Sequence, residues 1–363
     1  MTGPLVSVDT LYITLTDELP AFLSQSLLQC KSLPTLPSVA LKVLDIARSS
    51  SSTLSDYAKA IEHDPALTLR LIALANSAYY TRSAPPVQTC IEAMQRLGIN
   101  ATLPVILGFS LFQEAPNRHQ AWQRTITAAL VARYLAEQLC PDKSGSIFTQ
   151  ALLQDIGILA LQAAYPEEAD KLYTDTSLSH TEITQAEQRC FGCDHTLVGA
   201  WLASKWGMSN HAAMAIRQSH ESFLVSDKAL LCLRLSGPIA DAWLSNNPAS
   251  QLAALLYQLK TVSYADTLQL DEVLYNVQHQ TNLIANVMNM NAPIEVDSTA
   301  LLAEAQQLLF QHTLALGTQL DNQKQALTSL RYPDALQKKE QSLRDAAVAI
   351  RHSGLTRRNK KTD

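Results

Sequence analysis

The chain has 363 residues, 47% of them apolar, and a formal charge of −5, so a sizeable core is within reach and a largely disordered chain is excluded. Glycine is scarce, at 11 residues, while Leu, Ala and Gln abound, which favours helices over sheets. Charge is unevenly placed: residues 321–363 hold ten Lys/Arg against five Asp/Glu, leaving an acidic body ill suited to binding nucleic acid.

No stretch reaches the roughly 18 uncharged apolar residues of a membrane span. The opening "MTGPLVSVDTLYITLTDELPAFL" lacks the basic start and compact apolar run of a signal peptide. Six scattered cysteines suit a reducing compartment. A cytoplasmic protein without membrane contact is expected.

Residues 1–32 read as an N-terminal arm. Beyond the turn-rich "SLPTLP", Ser38 can cap a helix whose apolar stripe is Val39, Leu41, Val43, Leu44 and Ala47. A second helix, capped by Thr53 or Ser55, stops before Pro65. Leu67, Leu71, Leu74 and Ala75 mark a third, and two more follow Pro85-Pro86, around "CIEAMQRLG" and "ATLPVILGFSLF". Residues 114–120 form a hinge into a second set, in which "AWQRTITAALVARYLAEQLC", "IFTQALLQDIGILALQAAY", "HTLVGAWLASKWG" and "HAAMAIRQSHE" all carry amphipathic helical spacing. More helices follow over 226–290. Finally Leu336, Leu343 and Ile350 recur every seven residues with charges between them, the pattern of a short coiled-coil or signalling helix.

Two stretches together resemble the HDOD family, helical output modules of signal transduction related to HD-domain phosphohydrolases. "LPTLPSVALKVLDIA…LSDYAKAIEHDPALTLRLIALANSAYY…CIEAMQRLG" is similar to the family's N-terminal half, including Asp64-Pro65, Ala75-Asn76-Ser77 and Leu97-Gly98. "ALLQDIGILAL" with "GCDHTLVGAWLASKWGMSNHAAMAIRQSHE" is similar to its HD-derived half. The likeness covers about residues 33–235. It implies an all-α fold and a regulatory role in bacteria.

An HD-type metal site draws a His from the preceding helix, an adjacent His-Asp pair, later histidines and a distal carboxylate. By resemblance these positions read Arg124, Gln154-Asp155, His195, and Ser219-His220-Glu221, with Asp241 in "IADAW" as the distal carboxylate. Gln is a weak ligand beside imidazole, and a fixed guanidinium about 4 Å from a cation costs about 4 kcal/mol at an effective dielectric of 20. Without a metal, water yields no nucleophile at neutral pH. Arg124, Gln154, Asp155, His195, His220 and Glu221 are therefore expected to form a vestigial pocket with no catalytic, metal or cofactor role. In it Arg124 pairs with Asp155 in place of the cation, and Gln154 with His195 or His220 completes a polar network.

Two further stretches carry weaker signals. Cys190-Phe191-Gly192-Cys193 lacks the second pair of a zinc site and reads as packing around a turn glycine. The tail "SGLTRRNKKTD" loosely resembles the opening of a GGDEF (diguanylate cyclase) domain. The expected organisation is all-α: an arm at 1–32, an HDOD-like domain at 33–235 with subdomains 33–115 and 116–235, added helices at 236–300, a linker or coiled-coil-like helix at 301–350, and a basic tail at 351–363. The expected role is a non-enzymatic regulator binding a partner protein or small ligand, a relay that dimerises through its C-terminal helix and serves a GGDEF-type partner in cyclic-di-GMP signalling. The alternative is a degenerate metal-dependent phosphohydrolase acting on a nucleotide or cyclic dinucleotide.

Overall fold

The computed structural model describes residues 8–31, 52–81, 85–99, 119–174, 179–223, 225–260, 267–287, 297–331 and 340–346, with isolated positions between them. Among these the protein is all-α, with no strand. Two compact units divide it, residues 1–306 and 307–363.

In the first unit, α1 (Val8–Glu18) and α2 (Ala21–Gln29) are followed by α3 (Leu54–Ile61), α4 (Pro65–Ala75), α5 (Ala78–Thr81) and α6 (Cys90–Leu97). The local chemistry behind these helices is explicit. Asp64 Oδ1 accepts the Ala66 and Leu67 amides (3.0 and 3.1 Å) ahead of Pro65 at the first position of α4. Thr89 and Glu92 form a capping box at the start of α6. Asn76 clamps Val87 through both its amide atoms at 2.8 Å, and Arg96 ties to Asn76 Oδ1 and the Ala75 carbonyl. These residues bury one core containing Val43, Ile61, Leu67, Leu71, Leu74, Met94 and Ile106. Of the expected 38–47 helix, Leu41, Leu44 and Ala47 lie outside the described residues, as does most of the 114–120 hinge.

The second set comprises α7 (His119–Leu139), α8 (Ser144–Leu153), α9 (Ile156–Ala164), α10 (Pro166–Tyr173), α11 (His180–Phe191), α12 (His195–Lys205) and α13 (Asn210–Arg217). After them come α14 (Lys228–Leu244), α15 (Pro248–Leu259) and α16 (Leu270–Val287). Helix α7 is central, with α8, α14 and α16 packed along it. A second core gathers Leu153, Leu161, Phe191, Val198, Trp201 and Ile216. The N-terminal arm belongs here too: Leu15, Leu19, Leu23 and Leu27 are buried in this core, and Trp201 Nε1 donates to Thr16 Oγ1 at 3.0 Å. Residues 141–164 are the stretch long and apolar enough to suggest a membrane span among the described residues, and 72% of their most apolar 18-residue window is buried within the fold.

The spacing of "IFTQALLQDIGILALQAAY" predicts one helix, but the structure breaks it at Gln154-Asp155 into α8 and α9. Close packing explains the redirection. A Cβ at Gly157 would lie 2.0 Å from the His195 carbonyl oxygen and 2.7 Å from the Gly199 nitrogen, so α9 crosses α12 nearly backbone to backbone.

Helix α17 (Ser298–Arg331) begins in the first unit, where Leu301 and Ala305 are buried, and continues into the second. There it exposes Phe310, Leu314 and Leu320, each more than half accessible. Leu343 is 68% exposed; Leu336, Ile350 and the GGDEF-like tail lie outside the described residues.

Candidate functional site

Four helix ends meet at one point. Asp155 occupies the joint before α9, His180 and His195 are the first residues of α11 and α12, and His220 follows the last turn of α13. Local sequence sets each position. Ser179 and Glu182 form a capping box around His180, and Asp194 Oδ1 caps α12 through the Thr196 and Leu197 amides. The left-handed Gly192 (φ 74°) closes α11 just before them. In this turn Cys190 is exposed and Cys193 buried, both as free thiols, and burial pushes the Cys193 thiol up to about 12.

Arg124, on α7, reaches into the same place. Its Nη1 bonds directly to Asp155 Oδ2, while Nε and Nη2 grip Asp241 of α14 in a fork at 2.6 and 3.1 Å. Burial opposes the charge on Arg124, but Asp155 and Asp241 more than offset it and raise its pKa. Burial likewise works against ionised Asp155. Arg124, with His195 and His220 beside the carboxylate, wins and holds the carboxyl well below its usual range.

The other carboxylate oxygen faces the histidines. Asp155 Oδ1 lies 3.2, 3.5 and 3.7 Å from Nε2 of His220, His195 and His180. His220 Nε2 is 2.8 Å from both His180 Nε2 and His195 Nε2. The three rings stand edge to face, centroids 4.6–5.0 Å apart and planes inclined by 69–80°, around one point rather than in a stack.

Behind His195 stands Glu187, fully buried. It accepts from His195 Nδ1 at 2.7 Å, from the His195 amide at 2.9 Å, and from the Tyr173 hydroxyl at 2.7 Å. Although burial disfavours a charged ring, Glu187 outweighs it and pushes His195 up to about 10. Burial lowers His180 and His220, with the other cations adding to the effect at His180.

Arg124, Asp155, His195 and His220 thus converge, together with Asp241. Two expectations need correcting. Gln154 joins no polar network: both its side-chain polar atoms are buried without a hydrogen bond, and its Nε2 packs against Gly237 beside Arg124. Glu221 is not in the pocket; its side chain is more than half exposed and binds Arg234 Nη2 at 2.5 Å. Sequence reading missed His180 and Glu187. Signals for both were present: a Ser-x-x-Glu cap placing His180 at a helix start, and a glutamate eight residues before His195 on the inner face of α11.

The HDOD domain profile matches residues 33–222, slightly more than half of the chain. The chain belongs to the HDOD family. Among solved structures, an HDOD domain protein of unknown function from Geobacter sulfurreducens is similar at a TM-score of 0.57 and 20% identity, covering 76% of this chain and 98% of that one. A Shewanella amazonensis protein described as a candidate phosphohydrolase gives 0.56 and 24%, covering 73% and 97%. These likenesses establish a shared fold. An uncharacterized protein of Treponema pallidum is 26% identical over 200 residues, a match spanning 52% of this chain and 37% of that relative.

The HD-related ancestry implies a metal centre, and the residues here do not fit the HD arrangement. Its paired imidazole is Gln154, and its two carboxylates, Asp155 and Asp241, are both bound to Arg124.

Proposed function

We propose that this HDOD protein is a non-catalytic regulator in bacterial signalling, working in the cytoplasm and recognising a partner protein or small ligand through its helical body. The observation that carries this reading is Arg124. One guanidinium occupies the position of a metal-binding imidazole and engages both carboxylates that a hydrolytic metal pair would need. A buried ion pair of this kind has no open coordination position and no activated water.

The exposed Phe310, Leu314 and Leu320 of α17 support a relay role, because an apolar stripe on a helix ends up covered by another helix. We assign that stripe to self-association, with a GGDEF-type protein as the downstream partner in cyclic-di-GMP signalling.

The test is hydrolysis. Full-length protein is incubated with nucleoside triphosphates, cyclic dinucleotides and p-nitrophenyl phosphate, with Mn2+, Mg2+, Fe2+ or Zn2+ supplied. Product formation equal to that of Asp155→Asn, at the buffer background, is expected. Turnover that Asp155→Asn abolishes would establish the phosphohydrolase reading instead.

A further inference from the structure

Hydrogen bonding among the three histidines leaves a deficit. His195 Nδ1 faces the buried carboxylate of Glu187, so that nitrogen keeps its proton when the ring serves as a ligand, and Nε2 is the atom turned toward the cluster. Ser219 Oγ donates its hydrogen to the Ile216 carbonyl at 2.8 Å; at 3.1 Å it can therefore only accept from His220 Nδ1, and His220 Nε2 presents a lone pair. The two Nε2 atoms sit 2.8 Å apart, with His180 Nε2 at 2.8 Å from the second and Asp155 Oδ1 beside all three. One proton can bridge only one of these contacts. A cation at the centre satisfies all four atoms at once.

We propose that Asp155, His180, His195 and His220 bind a single divalent transition-metal ion of the zinc type in a closed, four-coordinate site. The four donor atoms lie within 4.8 Å of one another. In a tetrahedral site with metal–nitrogen bonds of 2.0–2.1 Å, ligands are about 3.3–3.4 Å apart. Five of the six separations, at 2.8, 2.8, 3.2, 3.5 and 3.7 Å, bracket that value. Three imidazoles and one carboxylate are a donor set that favours zinc, cobalt or nickel over magnesium.

Charge agrees with geometry. With the three imidazoles neutral, as ligation requires, Asp155, Asp241 and Glu187 against Arg124 leave −2, which a divalent ion cancels. The repulsion from Arg124 is offset, since it takes the far oxygen of Asp155 and is itself paired with Asp241. Glu187 supplies the carboxylate that orients a ligating imidazole from behind. The site is not the HD centre in reduced form. It has lost imidazoles at 124 and 154 and gained one at His180, on a different helix. With four protein ligands it has no position for water, so it is structural, and it stands whether or not the regulatory reading does.

Untagged full-length protein, stripped with a chelator and dialysed, is titrated with Co2+ and then Zn2+. Expected are one equivalent of Co2+ per chain with the intense visible bands of a tetrahedral ion, their loss on adding one equivalent of Zn2+, and a Zn2+-dependent rise in unfolding midpoint. His180→Ala should lose more than about 100-fold in affinity and Glu187→Gln about 10–100-fold, with helical circular dichroism retained by apo His180→Gln as the folding control. The proposal is overturned by any of four results with wild-type protein or His180 variants: no bound Co2+, weak octahedral bands, thiolate charge-transfer bands assigning the ion to Cys190 and Cys193, or undiminished binding without His180.

Discussion

Glu187 holds His195 twice, through the ring nitrogen at 2.7 Å and through the backbone amide at 2.9 Å, with neither side chain exposed. The Tyr173 hydroxyl completes the carboxylate's partners. Replacing Glu187 with Ala leaves three buried donors without an acceptor, each costing about 1–3 kcal/mol. A loss of at least about 3 kcal/mol in urea-unfolding free energy is expected. A change below about 1 kcal/mol would mean that water replaces the carboxylate freely.

Arg124 and Asp155 make a second buried pair, 16% and 10% exposed. Arg124→Ala should destabilise by about 3–5 kcal/mol, because it leaves two carboxylates facing one another without their cation. Arg124→Ala with Asp155→Ala should cost clearly less than the sum of the single variants. Additive losses in that cycle would show that the pair contributes no coupling.

Gly157 offers a test of packing alone. With the His195 oxygen 2.0 Å from any added Cβ, Gly157→Ala forces α9 and α12 apart and should cost at least the roughly 1–3 kcal/mol of an overpacked core. Gly317 on α17 has nothing within 4 Å of an added Cβ, so Gly317→Ala should be neutral or slightly stabilising. The contrast in thermal midpoint between the two variants is the measurement.

The exposed apolar residues of α17 predict association. Light scattering should give the full chain at least twice the mass of its monomer, and a chain ending at residue 306 the mass of one copy. Identical monomeric masses would remove the dimerising role from this helix.

The helical class was legible because glycine scarcity and 3.6-residue spacing act locally. The Arg124–Asp155 contact was legible through family resemblance, which places both residues opposite one another. Three things were hidden, each for a physical reason. The turn at 154–155 was masked by apolar residues on both sides that keep helical spacing. The docking of α1 and α2 was missed although Leu15, Leu19, Leu23 and Leu27 recur every four residues, because periodicity does not say which core a stripe enters. His180 was missed because it comes from a polar helix start fifteen residues before His195, where nothing in composition distinguishes a ligand from a solvated imidazole.

Between Asp155 and His195 the chain leaves along α9, returns through α10 and α11, and re-enters the cluster with His180 and Glu187. The last two helices bury few apolar side chains, chiefly Ala169, Leu172 and Phe191. Polar ties to Tyr173, Glu187 and His180 therefore supply much of what seats them. Regions with few apolar contacts open at lower free energy than the rest of a protein. This segment is thus a latch: the protection of its amide hydrogens should fall when the buried charges beneath it are left unmatched.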